Sequence, residues 1–288
     1  MIADPTVLLP HETPDGLWHL FANTIPPRLH HFVSEDGLSF RKVGELGHAG
    51  MRPFVRLMED GDYHLFYEQI TWPVPLRSRI VHCRSSDLLT WTSPRTVLSP
   101  SLLWHGGFNR TCGNPCVVFW QGEYLLYYSA ATVFLPDCLF VEPRHIGVAR
   151  SRQVEGPYIP DPYPCLSPDP SVPNRNMGAG SIKVLPDPDG NGLLGLSNGI
   201  YRDAKGHSRS SIRLVQSTDG TNWEDVGDGP VLAPGGDGWK KALVYALDVR
   251  VLPDNRWVVY FNARDGWLVG KERIGVAYGV RCVPIVGA

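Results

Sequence analysis

Charge is scarce in this chain. Of 288 residues only 19% are charged, and 27 basic against 29 acidic side chains leave a formal net charge of −2. That near-neutrality removes the electrostatic footprint by which nucleic acid or an anionic membrane would be held. No apolar run approaches the roughly 18 residues of a membrane-spanning helix, so neither nucleic acid nor membrane is an expected partner. The segment MIADPTVLLP has neither the basic n-region nor the long apolar stretch of a secretory leader, and a cytoplasmic location is the expectation. Cysteine is also sparse: six, at 83, 112, 116, 138, 165 and 282, too few and too scattered for a disulfide framework. Cys112 and Cys116 form the one close pair, but no second pair at ligand spacing follows, so they read as plain thiols in or near strands rather than as zinc ligands. The NRT sequon at 109–111 is silent in a cytoplasmic chain.

What the chain has in abundance is turn chemistry. Thirty glycines and 26 prolines against 43% hydrophobic residues suit many short strands joined by tight turns. A heptad recurs as SEDGLSF (34–40), SSDLLTW (85–91) and STDGTNW (217–223), each with Ser first, Asp third and an aromatic seventh. Between the copies, an apolar run leads through a Gly/Asp turn to an aromatic-rich alternating run, the pattern of a hairpin. RPFVRLMEDGDYHLFYEQ and NPCVVFWQGEYLLYYSA show it most clearly. A third strand follows each time: LHHFVS, RIVHCRS, HIGVARS, IRLVQS and RIGVAYG. Units therefore begin near Asp4, Arg52, Asn114, Gly180 and Asp248, at steps of 48, 62, 66 and 68 residues. The expected fold is all-β, a five-bladed β-propeller of four-stranded antiparallel blades, with residues 1–288 in one domain and the tail GVRCVPIVGA contributing to closure. Asp36, Asp87 and Asp219 should then organise the turn between third and fourth strands by accepting backbone N–H bonds, and Phe40, Trp91 and Trp223 should anchor the outer strand.

In a propeller the innermost strands enter, and the second strands leave, at one mouth of the central channel. Entries are Asp4, Arg52, Asn114, Ser181 and Asp248; exits are Asn23, Glu68, Ser129, Asn198 and Asn262, with Arg264 close by. Such a funnel is polar and rich in hydrogen-bonding groups.

On ADPTVL, YHLFYEQ and RSSDLLTW the chain resembles the five-bladed glycoside hydrolases of families 43, 32, 62, 117 and 130, as a pattern of blades over nearly its whole length. The resemblance implies that the Asp–Pro of the first blade, Asp4 here, supplies the base or nucleophile. It also marks two departures. A second Asp–Pro expected in the third blade is Asn114–Pro115, and the fourth blade, where the acid usually enters, reads NMGAGSIKV without a carboxyl group.

Glycoside cleavage needs a proton donor and a carboxylate facing the anomeric carbon. With Asp4 as the carboxylate, the donor candidates are Glu68, which leaves an apolar strand at the funnel, and Asp248 in YALDVRV. The competing readings are ion pairs, Glu68 with Arg52 or Arg110 and Asp248 with Arg250 or Arg264. Some family 117 relatives use a histidine, which draws in His48 and His105 in loops ahead of the second and third blades. Trp72, Trp104 and Trp239 are candidate stacking surfaces for a sugar ring, with packing as the alternative. Arg52, Arg110, Arg175, Lys240, Lys241 and Arg264 make the loops cationic, and family 130 relatives are largely phosphorylases, so phosphate or an acidic sugar would find partners there. The expected partner is a small-molecule carbohydrate, bound with help from Asn23, Asn114, Asn198 and Asn262. No cofactor is expected and no metal site is spelled out, a central ion in the channel being left open. Three readings follow: a glycosidase, a phosphorylase or anionic-sugar enzyme, and a glycan-binding propeller without turnover.

Overall fold

Tight Gly/Asp turns alternate with runs rich in Val, Leu, Phe and Tyr along almost the whole chain, and these runs become strands. A computed structural model describes residues 2–71, 77–108, 110–190, 192–236 and 238–280. Blade 1 comprises β1 (Ile2–Leu8), β2 (Trp18–Thr24), β3 (Arg28–Ser34) and β4 (Arg41–Glu45). Blade 2 comprises β5 (Met51–Leu57), β6 (Tyr63–Ile70), β7 (Ser78–Ser85) and β8 (Arg95–Leu98). Blade 3 comprises β9 (Cys112–Trp120), β10 (Glu123–Leu135), β11 (Phe140–Ser151) and β12 (Ile159–Pro160). Blade 4 comprises β13 (Gly178–Pro186), β14 (Leu193–Arg202), β15 (Ser208–Ser217) and β16 (Glu224–Asp225). Blade 5 comprises β17 (Leu243–Val251), β18 (Trp257–Arg264) and β19 (Glu272–Gly279).

Strands pair antiparallel in chain order within each sheet, and the molecule is the five-bladed propeller that the repeats imply. Blade 5 has three strands among the described residues, and most of the tail expected to help closure, 281–288, lies outside them. The second strand of each blade is buried on both faces, as in Leu20, Phe21 and Ala22 or Leu125, Leu126 and Tyr127. A strand sandwiched between two neighbouring blades has no solvent face, so its sequence reads as a continuous apolar run.

The heptads build the turns after the third strands. Asp36 Oδ1 accepts the N–H groups of Leu38 and Ser39, both at 2.8 Å. Asp87 does the same for Leu89 and Thr90, and Asp219 for Thr221 and Asn222. Their aromatic residues do more than hold the outer strand, because each packs on the second strand of the preceding blade. Phe40 meets Tyr260, Trp91 meets Phe21 and Trp223 meets Tyr127, all edge-to-face at 5.6–6.1 Å. The repeated motif is thus a staple between blades.

Of the cysteines, 83, 112, 116 and 138 are buried free thiols, Cys165 is free and partly buried, and Cys282 lies outside the described residues. Among the described residues no group of three or more His, Cys, Asp or Glu side chains converges as a metal site would require.

Candidate active site

The innermost strand of every blade breaks register where it enters the channel, between Ala3 and Thr6, Met51 and Phe54, Gly113 and Cys116, Ala179 and Ser181, and Tyr245 and Leu247. In four blades the bulged residue has left-handed φ: Asp4 (+56°), Arg52 (+54°), Asn114 (+48°) and Ala246 (+39°). This conformation costs a residue with a Cβ on the order of 1–2 kcal/mol, and local features offset it. Pro5, Pro53 and Pro115 follow three of the bulges and have no N–H to lose from the ladder. The backbone N–H of Asp4 donates to Asn262 Oδ1 at 2.8 Å, and that of Arg52 to Asn23 Oδ1 at 2.6 Å. An amide leaving one blade therefore fixes the bulge of the next, and the bulges turn Asp4 and Arg52 toward the axis.

The bulges surround a two-lobed cavity. The central lobe, about 290 Å³, is lined from all five blades and includes Asp4, Asn23, Ser181, Asn198, Tyr245, Arg264 and Glu272. A side lobe of about 200 Å³ lies over blades 2 and 3. Met51, Arg52, Asn114, Val141, Glu142 and Pro143 line both lobes and mark their junction. Beneath them a void of about 10 Å³ touches Asp4, Arg52, Asn114, Ser181 and Lys183.

Three carboxyl groups share the central lobe. Burial raises the Asp4 pKa, against the opposing pull of Arg52, a hydrogen bond from Asn23 and the Lys183 ammonium. Burial also pushes Glu142 to about 7, with Asp4 and Glu272 adding repulsion and Arg52 opposing it. Glu272 rises to about 7 through burial and then the Asp4 charge. Its Oε1 accepts Asn262 Nδ2 at 2.7 Å, and Tyr245 bonds it as well. Glu272 is therefore held in place, whereas no described residue hydrogen-bonds the Glu142 side chain.

Glu68 and Asp248, the expected proton donors, are both committed elsewhere. Glu68 is 4% exposed and accepts Arg52 Nη1 at 2.7 Å. It fills the space beside Gly113 so closely that a Cβ at 113 would collide with its carboxylate. The ion pair with Arg52 is the arrangement found. Asp248 is a correction of register. Because β17 bulges at Ala246, that residue is the counterpart of Asp4, and Asp248 lies two positions further along, about 6.6 Å deeper. There it has no exposure, and it accepts Thr6 Oγ1 at 3.0 Å, Val7 N at 2.7 Å and both Arg56 amino groups at 3.0 and 2.5 Å. Burial alone would raise its pKa, but Arg56 and Lys183 bring it below the ordinary value. Asp248 therefore ties blade 5 to blades 1 and 2 and does not line either lobe. Its partner is Arg56, not Arg250 or Arg264.

Several other expected contacts also lie away from the cavity. His105 is fully buried, with Nδ1 accepting the N–H groups of Ser101 and Leu102 and Nε2 bonded to the Tyr128 hydroxyl at 2.8 Å. Burial holds its pKa at about 4, so it stays neutral. His48 stacks on Tyr67 and lies 3.9 Å from Cys83 Sγ, and neither lobe touches it. Trp104 packs on Tyr128 and over Gly147, with its Nε1–H donated to Pro162 O. Trp239 does the same on Phe261 and over Gly275. Both indoles fill space above a third-strand glycine, so packing is the reading that holds. Arg110 lines a separate cleft with Arg77 and Arg79, and Lys241 is exposed outside both lobes. Asn262 is fully buried and acts through Asp4 and Glu272 rather than lining the cavity. Trp72 lies outside the described residues. Asp4, Asn23, Arg52, Asn114, Asn198 and Arg264 do converge on the central lobe, and Glu68 with Arg52 and Asn114 lines the side lobe.

Glu142, Glu272, Tyr245 and Lys183 were not anticipated. Third strands also begin at the mouth, and both glutamates stand just ahead of their third-strand motifs, in EPRHIGVA and ERIGVA. That recurrence was the available signal. Glu142 reaches the axis because β10 and β11 run past the mouth as an arm. The arm's Leu135, Cys138 and Phe140 pack with Ile200, Leu243 and Tyr245 of blades 4 and 5. Lys183 is a buried ammonium under Asp4, donating to Pro115 O at 2.8 Å, with its pKa lowered by burial.

Fold and cavity together define a five-bladed β-propeller with an acid-lined axial pocket. No protein-family model matches the chain, and no curated protein matches it either. Similar solved structures include an N-acetylgalactosamine deacetylase from F. plautii in complex with blood group B trisaccharide, at TM-score 0.71 and 14% identity, covering 96% of this chain and 89% of that one. An α-L-arabinofuranosidase from Podospora anserina in complex with cellotriose has TM-score 0.67 and 16% identity, covering 96% and 90%. A structure from work on the GH130 family of mannoside phosphorylases, a family containing glycoside hydrolases that target β-1,2 mannosidic linkages in Candida mannan, has TM-score 0.67 and 16% identity, covering 96% and 83%. At these identities the likeness establishes the shared propeller fold.

Proposed function

We propose that this chain is a glycoside hydrolase acting on a small carbohydrate in the axial cavity. Asp4 is the carboxylate facing the anomeric carbon and Glu142 is the proton donor. The observation that carries this reading is the pairing of Asp4 with an unencumbered Glu142 whose pKa is pushed to about 7 in the same cavity. A carboxylic acid must still hold its proton near neutral pH to protonate a leaving oxygen, and burial beside other acids is how proteins arrange that. Arg52 lines both lobes, and its charge opposes the rise in both acids. The presence of glycoside hydrolases among the similar structures supports carbohydrate as the substrate class.

Phosphorolysis is the second reading, favoured by Arg264, which lines the central lobe with its buried Nε unpartnered among the described residues. The deciding experiment is product release from aryl furanosides, aryl pyranosides and short oligosaccharides, with and without phosphate. Hydrolysis predicts turnover without phosphate that falls at least about 100-fold in Asp4→Asn and in Glu142→Gln, and stays within a few-fold in His105→Gln. Turnover only with phosphate would select the second reading. Turnover untouched by Glu142→Gln would remove Glu142 as the donor.

A further inference from the structure

The two lobes differ in what they offer a ligand. In the central lobe Ser181 Oγ and Asn198 Oδ1 are buried without a partner among the described residues, although both residues are only 3% exposed. Buried polar atoms left open in this way call for a ligand's hydroxyl groups or water. In the side lobe most polar side chains are already committed. Glu68 is taken by Arg52, Ser78 Oγ donates to Cys112 O at 3.2 Å, and Ser129 Oγ accepts Asn114 Nδ2 at 2.7 Å. Away from Glu142 at the junction, its other walls are Met51, Ile70, Gly113, Ala131, Val141 and Pro143, with Thr111 and Thr132 to meet one or two ligand oxygens.

A site built to bond hydroxyls discriminates by leaving its polar groups unpaired when they are missing, and an apolar wall penalises a hydroxyl that it cannot satisfy. We propose that the side lobe is the leaving-group subsite and that it takes a ring-sized alcohol poor in hydroxyls, an aryl or alicyclic aglycone, while the central lobe holds the sugar. The assignment of sides rests on the hydrolase reading above. Asp4 lines the central lobe and Glu142 the junction, so the scissile bond lies across the junction. There the glycosidic C–O bond breaks, the leaving oxygen takes the Glu142 proton, and water supplies the oxygen that bonds to the anomeric carbon. The size agrees, since an apolar cavity of about 150 Å³ holds a benzene ring and the side lobe measures about 200 Å³.

The test reads binding rather than turnover, so its failure is distinct from failure of the hydrolase reading. Cyclohexanol and myo-inositol have the same ring and differ in hydroxyl count, and ligand-observed NMR gives their affinities. Cyclohexanol should bind the wild type and lose at least tenfold in affinity in Ile70→Trp, which fills the lobe. Ile70→Asp, which charges the same wall at a residue that lines the side lobe alone, should weaken it similarly and serves if the tryptophan variant does not fold. Inositol binding should change less than threefold in either variant. The proposal is overturned if cyclohexanol does not bind up to its solubility limit, if neither variant weakens it, or if inositol is the ligand that the variants displace.

Discussion

One guanidinium sets the working range of the candidate site. Arg52 donates to Glu68 at 2.7 Å and lowers the pKa of both Asp4 and Glu142 against the burial that raises them. A donor must be protonated, so activity should be present below about pH 7 and fall as the pH rises through the Glu142 pKa. Arg52→Met removes the opposing charge, so the alkaline limb of kcat/KM should move upward, and the acid limb set by Asp4 should move the same way. A pH–rate profile measures both, and limbs that stay in place would mean that Arg52 serves only as the partner of Glu68. Asp4 was legible in the sequence because Asp–Pro at a strand entry is local. Asp248 was misplaced because a bulge inserts a residue without any sequence mark of its own, and Ala246 at +39° gives no hint that it is the aligned position. His105 and Trp104 looked like loop residues free to reach a ligand, and only the packing of Tyr128 and Gly147 against them shows where their rings go.

At the scale of elements, the heptad was read correctly as scaffold, but only half of what it does is local. The Asp-centred turn joins residues within five positions of one another and follows from hydrogen-bonding chemistry alone. The staple joins residues far apart in sequence. Tyr260 donates its hydroxyl to Gly37 O and Tyr127 to Gly220 O, each at 2.7 Å, the donor belonging to the preceding blade. In blade 2 the corresponding partner is Phe21, without a hydroxyl, and Leu88 takes the left-handed position at φ +64° with 1% exposure. Tyr127→Phe should therefore cost about 1–2 kcal/mol in urea unfolding, because it leaves a buried carbonyl unpaired. Tyr260→Phe should cost a similar amount, and Phe21→Tyr should give no gain, since a Cβ at Gly37 would already lie 3.0 Å from the Tyr260 hydroxyl and Leu88 carries a whole side chain at the equivalent position. Equal and negligible effects at 127 and 260 would assign the staple's strength to the rings alone.

Over the whole molecule, two sets of buried groups pull stability in opposite directions with pH. Blades 1 and 2 repeat one device, a turn aspartate joined to a second-strand histidine that is joined to a third-strand histidine. His19 bonds Asp15 at 2.9 Å and His31 at 2.8 Å; His64 bonds Asp60 at 3.1 Å and His82 at 2.9 Å. Burial, followed by repulsion from the neighbouring histidine, lowers His31 and His82 to about 3. The folded state therefore binds fewer protons than the unfolded chain below pH 6.5, and the stability that these two contribute above 6.5 is lost as the pH falls toward 3. Glu142 and Glu272, raised to about 7, act with the other sign: the folded state holds protons that the unfolded chain releases above about 4.5, so their contribution is full below 4.5 and is lost as the pH rises through 7. Each group can supply up to about 1.4 kcal/mol per pH unit. Between pH 4.5 and 6.5 His105, held at about 4, joins these two histidines against the two glutamates. The wild-type unfolding free energy should therefore decline only gently on acidification across that window. Glu142→Gln combined with Glu272→Gln leaves the histidines unopposed, so the double variant should lose stability on acidification at about 2 kcal/mol per pH unit. His31→Phe combined with His82→Phe should instead gain stability as the pH falls. Chemical denaturation of the three proteins at pH 6.5, 5.5 and 4.5 decides the matter, and parallel profiles would mean that neither set stays buried and shifted in solution.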